Sequence, residues 1–178
     1  MSAAISVAGQ FFDDGEEVVY TKGRTNNSNR KYFSSTPVRT GNYPICILIN
    51  QNSASGAEIV AGALRDKGRA ITVGVRSLGK GSVQKIFELE NGVGIRQTTA
   101  FFYTVGGQGL DKVGVEPDIL VEMSQEEYNK LRLQRNHRSY LGEEGFRHEF
   151  GFDPIVDRQR EAARAILKDI LSSREFRG

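Results

Sequence analysis

The stretch from Ile45 to Val75 constrains the fold most. "PICILIN" (44–50) is a continuous apolar run with β-branched residues, the pattern of a strand buried on both faces. A helix follows with both ends marked. Ser55 and Glu58 form S-x-x-E, a capping box, and Gly68 is a C-terminal stop. Ile59, Val60, Ala63 and Leu64 give it one apolar face. "AITVGV" (70–75) is a second buried strand. Strand, helix, strand with short joints predicts a βαβ unit with parallel strands and a right-handed crossover.

The surrounding pattern is mixed. Ile5, Val7, Ala8, Phe11 and Phe12 fit a short helix over residues 3–12, and "EEVVYTKG" reads as a strand. The polar, turn-rich stretch from Arg24 to Gly41 predicts an irregular excursion. Val83, Phe87 and Leu89 alternate with polar neighbours, "ENG" makes a turn, and "VGIRQTTAFFY" returns as a strand. A glycine-rich loop then leads to a short strand at "DILVE". From Ser124 the composition becomes charged, and an amphipathic helix begins near Pro154 and carries Ile155, Val156, Ala163, Ile166, Leu167, Ile170 and Leu171. The fold class is α/β, a mixed sheet with packed helices.

With 178 residues, 38% of them hydrophobic and 26% charged, the chain suits one globular domain with a real core. No apolar run reaches the roughly 20 residues of a membrane-spanning helix. The N-terminus lacks the basic start and cleavage site of a signal peptide. A net charge of +2 does not argue for nucleic acid, and "KLRLQRNHR" reads as a solvated face. The single Cys46, inside "YPICILI", reads as a buried, inert thiol and excludes an intrachain disulfide or a cysteine metal cage.

Ser55 admits two readings. As the first residue of a helix it is a cap. As a residue at a strand-to-helix junction it could be a nucleophile, with the N–H of Gly56 beside it as a donor to a developing oxyanion. Such a serine needs a base. The only histidines, His137 and His148, lie in the charged C-terminal third, and G-x-S-x-G fails because residues 53 and 57 are Ser and Ala. A buried lysine is the alternative, since desolvation favours the free amine. Lys80, in "SLGKGSVQ" after the second parallel strand, stands on the same sheet edge as Ser55. Gly79 and Gly81 flank it, and the amide of Gln84 could hold its amine. "GVRSLGKGS" almost spells a phosphate-binding loop, but residue 81 is Gly where the hydroxyl belongs, and no helix follows. A nucleotide site is therefore rejected.

These residues resemble the carboxy-terminal processing, or tail-specific, serine proteases. The nucleophile motif of that family is similar to S-A-S-x-x-E-I-x-A-G-A-L, matched from Ser53 to Leu64, and its lysine motif to G-K-G-x-V-Q, matched from Gly79 to Gln84. The lysine follows the serine by 25 residues and the glutamine follows the lysine by four, as in the family. "Y-T-x-G-G" and "G-V-E-P-D-I" fit too, and the likeness runs from about residue 4 to 122. It implies a ClpP/crotonase-like core and a Ser-Lys dyad acting through an acyl-enzyme, with no metal or cofactor. Ser55 would be the nucleophile, Lys80 the general base, Gln84 its positioning residue and Gly56 N–H an oxyanion donor. Substrates would be proteins or peptides with accessible, often apolar, C-terminal tails, in the bacterial periplasm or envelope.

The family's PDZ-like domain and its N-P-G-G stretch, expected to give the second oxyanion donor, have no counterpart in the sequence. The chain is thus expected to be the back portion of a protease domain (1–122) with a charged extension (123–178), weakly active by itself. The terminal helix would pack on its own domain or form a homo-oligomer contact. The competing reading is a non-catalytic peptide-binding or assembly module in which Ser55 only caps its helix.

Overall fold

Antiparallel pairing builds the larger of two sheets. In the computed structural model, which describes residues 1–35 and 41–175, strands β1 (Glu17–Gly23), β2 (Arg30–Phe33), β5 (Ser82–Glu88) and β6 (Gly94–Thr104) form a sheet of order β2-β1-β6-β5. One face carries alternating buried residues, among them Val19 and Thr21 of β1 and Ala100, Phe102 and Thr104 of β6. Helices α1 (Ser2–Gly9) and α2 (Gly56–Asp66) complete this core through Ala8, Ile59 and Leu64. Gly62 lets α2 lie close, because a Cβ there would stand 2.7 Å from Thr104 Cγ2.

The smaller sheet has the order β3-β4-β7, with β3 (Cys46–Ile49), β4 (Ile71–Gly74) and β7 (Ile119–Leu120). Cys46 pairs with Ile71 and Ile49 with Gly74 in parallel register, so the βαβ unit read from the sequence is present. The expectation that β3 is buried on both faces is corrected. Only Ile49 is buried, and Leu48 is 41% exposed. β3 ends its sheet, so an interior-strand composition stands at an edge. Cys46 is half-buried, and burial raises its thiol pKa.

The excursion expected over 24–41 is also corrected, apart from residues 36–40, which lie outside the described residues. Arg30–Phe33 is a strand paired with β1, from Thr21↔Arg30 to Val19↔Tyr32. Its polar residues carry no alternating signal because it is a solvated edge strand. β5 and β6 form the hairpin expected from "ENG", closed where Leu89 N–H donates to the Val93 carbonyl at 2.7 Å.

The chain divides into two units, Met1–Ile119 and Leu120–Gly178. The second holds two helices, α3 (Gln125–Phe150) and α4 (Arg158–Glu175). α3 was not legible in the hydrophobic pattern, since only Leu131 and Phe146 are buried along it. Its signal was the capping box of Ser124 and Glu127. Gly142, at φ 69°, breaks it, and Phe146 stands against Phe150 and Phe152 at 4.9 and 5.2 Å between ring centroids. α4 begins at Arg158, after Pro154, with Asp157 Oδ1 accepting from Arg160 N–H.

Candidate active site

The turn between β3 and α2 is tied to itself before Ser55 is reached. Asn50 Oδ1 accepts from Asn52 N–H at 2.9 Å, the Asn50 carbonyl from Ser53 N–H at 2.8 Å, and Ser53 Oγ from Asn50 N–H at 3.1 Å. Ser55 then takes φ 57° and ψ −116°, and its side chain is exposed. An ordinary N-cap has an extended, negative-φ backbone. A residue with a Cβ at positive φ costs of order 1–3 kcal/mol and persists only where its surroundings impose it. The helix-cap role therefore does not account for this conformation. A sharp strand-to-helix turn that presents a serine oxygen is the geometry of a nucleophile elbow, reached here without its flanking glycines. Gly56 opens α2, so its N–H belongs to the first turn, where helical donors have no intrahelical acceptor.

Glu58 does far more than cap. It is fully buried and its two oxygens accept four hydrogen bonds. Oε2 takes the backbone N–H groups of Ser55 and Lys80, each at 2.8 Å. Oε1 takes the Ser77 hydroxyl at 2.5 Å and Gly79 N–H at 2.6 Å. One carboxyl group thus holds the serine turn and the lysine loop together, and the S-x-x-E pattern disclosed only the first of these contacts.

The lysine loop is also clamped from behind by residues 110–115, which the sequence marked only as a glycine-rich loop. Ser77 Oγ accepts from Val115 N–H at 2.7 Å, and the Gly79 carbonyl accepts from Lys112 N–H at 2.7 Å. Gly79 adopts φ +84°, and a Cβ on Gly81 would fall 2.3 Å from Asp111 N. Leu78 N–H reaches across to the Ser53 carbonyl at 2.9 Å.

Lys80 itself is exposed, which corrects the expectation of a buried amine. It stands on a surface loop between β4 and β5. Gln84 is exposed on β5, on the face opposite Val83, which packs on the core. Neither Lys80 Nζ nor the Gln84 amide meets a hydrogen-bond partner among the described residues. Ser55 and Gly56 thus fall at one turn, Lys80 on one loop and Gln84 on the strand that follows it. Glu58 ties the backbones of Ser55 and Lys80 together, but the Lys80 and Gln84 side chains are not engaged. His137 and His148 lie on α3 in the second unit, where His137 meets Phe150 at 5.0 Å. Among the described residues no group of three or more His, Cys, Asp or Glu could hold a metal ion, and no helix is long and apolar enough to cross a membrane.

A serine on a strained turn is thus tied through one buried carboxyl group to a lysine loop. Residues 1–121 match the family model for peptidase family S41, and the chain belongs to that family. It is 44% identical over 122 residues to a carboxy-terminal-processing protease of Bartonella bacilliformis, a match covering 68% of this chain and 28% of that protein. To the chloroplastic carboxyl-terminal-processing peptidase 1 of Arabidopsis thaliana it is 36% identical over 119 residues, covering 66% and 24%. Among solved structures, the photosystem II D1 C-terminal processing protease matches with a TM-score of 0.58 and 31% identity, covering 68% of this chain and 31% of that one. The chain spans roughly a quarter of the length of the curated relatives it matches.

Proposed function

We propose that this chain carries the nucleophile and base of a carboxy-terminal processing endopeptidase, on a core of the ClpP/crotonase type. Ser55 Oγ attacks the scissile carbonyl while Lys80, as the free amine, takes the hydroxyl proton. The C–N bond breaks as Lys80 returns that proton to the leaving amine, and an acyl-Ser55 ester remains. Water then attacks the ester carbonyl as Lys80 takes its proton, and Lys80 passes that proton to Ser55 Oγ as the ester C–O bond breaks. Gly56 N–H donates to the oxyanion, and Gln84 orients the Lys80 amine. A lysine base works only when desolvated, so the bound polypeptide completes the site by covering Lys80.

The observation that carries this reading is the backbone of Ser55: strain at a residue that a cap does not need. A non-catalytic binding module would have no use for it. Substrates are polypeptides with accessible C-terminal tails, and the setting is the bacterial periplasm or envelope; both are carried over from the likeness to the tail-specific family. The test is hydrolysis of a fluorogenic peptide by the chain and by its Ser55→Ala and Lys80→Ala variants, with mass spectrometry of the chain after a fluorophosphonate probe. Activity and a Ser55 adduct that vanish in Ser55→Ala are expected. Hydrolysis that survives Ser55→Ala would end the proposal.

A further inference from the structure

The β5–β6 hairpin runs beyond the rest of its sheet. β1 pairs with β6 only from Ala100 to Thr104, whereas β5 pairs with it from Gly94 to Phe101. Gly94–Thr98 therefore has a row of backbone N–H and C=O groups facing away from β5 with no described strand against it. A bulge marks the divergence, since Val83 pairs with Ala100 and Gln84 with Thr98, leaving Thr99 as the extra residue. Chain turning away after Gly23 leaves a cleft of about 1010 Å³ along this stretch.

The charge in that cleft is one-sided. Arg24, Arg30 and Lys85 line it, and among the described residues no Asp or Glu does. None of the three is in an ion pair among the described residues. The whole chain has 24 basic and 22 acidic side chains, so a cleft with cations alone departs from its surroundings. Tyr32, Phe87 and the Gln97 amide supply apolar and hydrogen-bonding surface beside the cations. The cleft starts at Val83, three residues from Lys80.

We infer that this cleft binds an acidic, extended segment of the polypeptide substrate, which pairs with the open edge of β6 and places its carboxylates on Arg24, Arg30 and Lys85. Backbone pairing supplies affinity for any extended chain, and the cations select the acidic one. The substrate role rests on the peptidase reading above; the acidic-peptide specificity does not.

Fluorescence anisotropy of the Ser55→Ala chain tests it with two labelled peptides of equal length, one rich in Asp and Glu and one with Asn and Gln in their place. The acidic peptide should bind about tenfold more tightly at low salt, a preference that shrinks as salt rises. Arg24→Gln with Lys85→Gln should abolish the preference; both side chains are exposed, and circular dichroism checks the fold. Lys22→Gln, a cation that lies over Tyr20 and Tyr103 instead, should leave it intact. Equal binding of the two peptides, a preference that survives the double variant, or cleft-dependent binding of a single-stranded oligonucleotide in place of the peptide would overturn it. Hydrolysis of the neutral peptide by the unsubstituted chain is scored separately. Acidic preference without hydrolysis sinks the peptidase reading alone, and hydrolysis without acidic preference sinks the cleft alone.

Discussion

Ser55 and Lys80, 25 positions apart in the chain, donate their backbone N–H groups to the same atom, Oε2 of Glu58. Their two nitrogens therefore lie no farther apart than twice 2.8 Å. Glu58→Gln keeps the shape but turns an NH2 group toward donors that need acceptors. It should destabilise the chain by about 2–3 kcal/mol, the cost of buried hydrogen-bonding groups left unsatisfied. Peptide hydrolysis should fall with it. Urea denaturation and kcat on one preparation check both, and unchanged values for each would show that the shared oxygen positions nothing.

Ser55→Gly should separate stability from activity. Glycine accepts φ 57° without its steric cost and loses only a few tenths of a kcal/mol as a cap. The variant should be more stable by about 1 kcal/mol while losing all acyl transfer. A lower thermal midpoint than the parent would mean that the serine turn is not strained.

Two glycines near equal in sequence appearance should behave differently. Gly81→Ala drives a Cβ against the Asp111 backbone, displacing the lysine loop, and should cost most of the activity. Gly15→Ala meets open space but must keep φ +78°, so it should cost about 1–2 kcal/mol with kcat unchanged. Thermal melts paired with kcat measurements decide it; a fully active Gly81→Ala chain would refute the clamp.

Acid sensitivity should localise to Asp118. Burial on its own would raise its pKa, but the Thr72 N–H and hydroxyl and the Arg65 guanidinium outweigh burial and hold it below the ordinary carboxylate value. A depressed folded value means that the stabilisation is present above the unfolded value of about 3.9 and is lost as pH falls through the folded one. Asp118→Asn should be less stable than the parent at neutral pH, and the gap should close below about pH 4. A gap that stays constant into acid would assign the loss to packing.

The local motifs were legible because they depend on near neighbours. The cap at Ser55, the stop at Gly68, the "ENG" hairpin and the parallel strands around α2 all follow from periodicity and turn chemistry. The charged helix α3 was not, because a helix with two buried residues leaves almost no apolar stripe to read. The edge strand β2 escaped for the same reason: its pairing partner, rather than its own pattern, makes it a strand.

By itself, the sequence singled out the candidate site, since Ser55, Gly56, Lys80 and Gln84 stand in motifs whose spacing is set along the chain. Tertiary structure alone decided that Ser55 sits at positive φ, that Glu58 joins it to Lys80, and that Lys80 is exposed. It alone aligned Arg24, Arg30 and Lys85 along one cleft. A backbone dihedral, a shared acceptor and solvent exposure depend on what packs against a residue, and those partners come from segments tens of residues away.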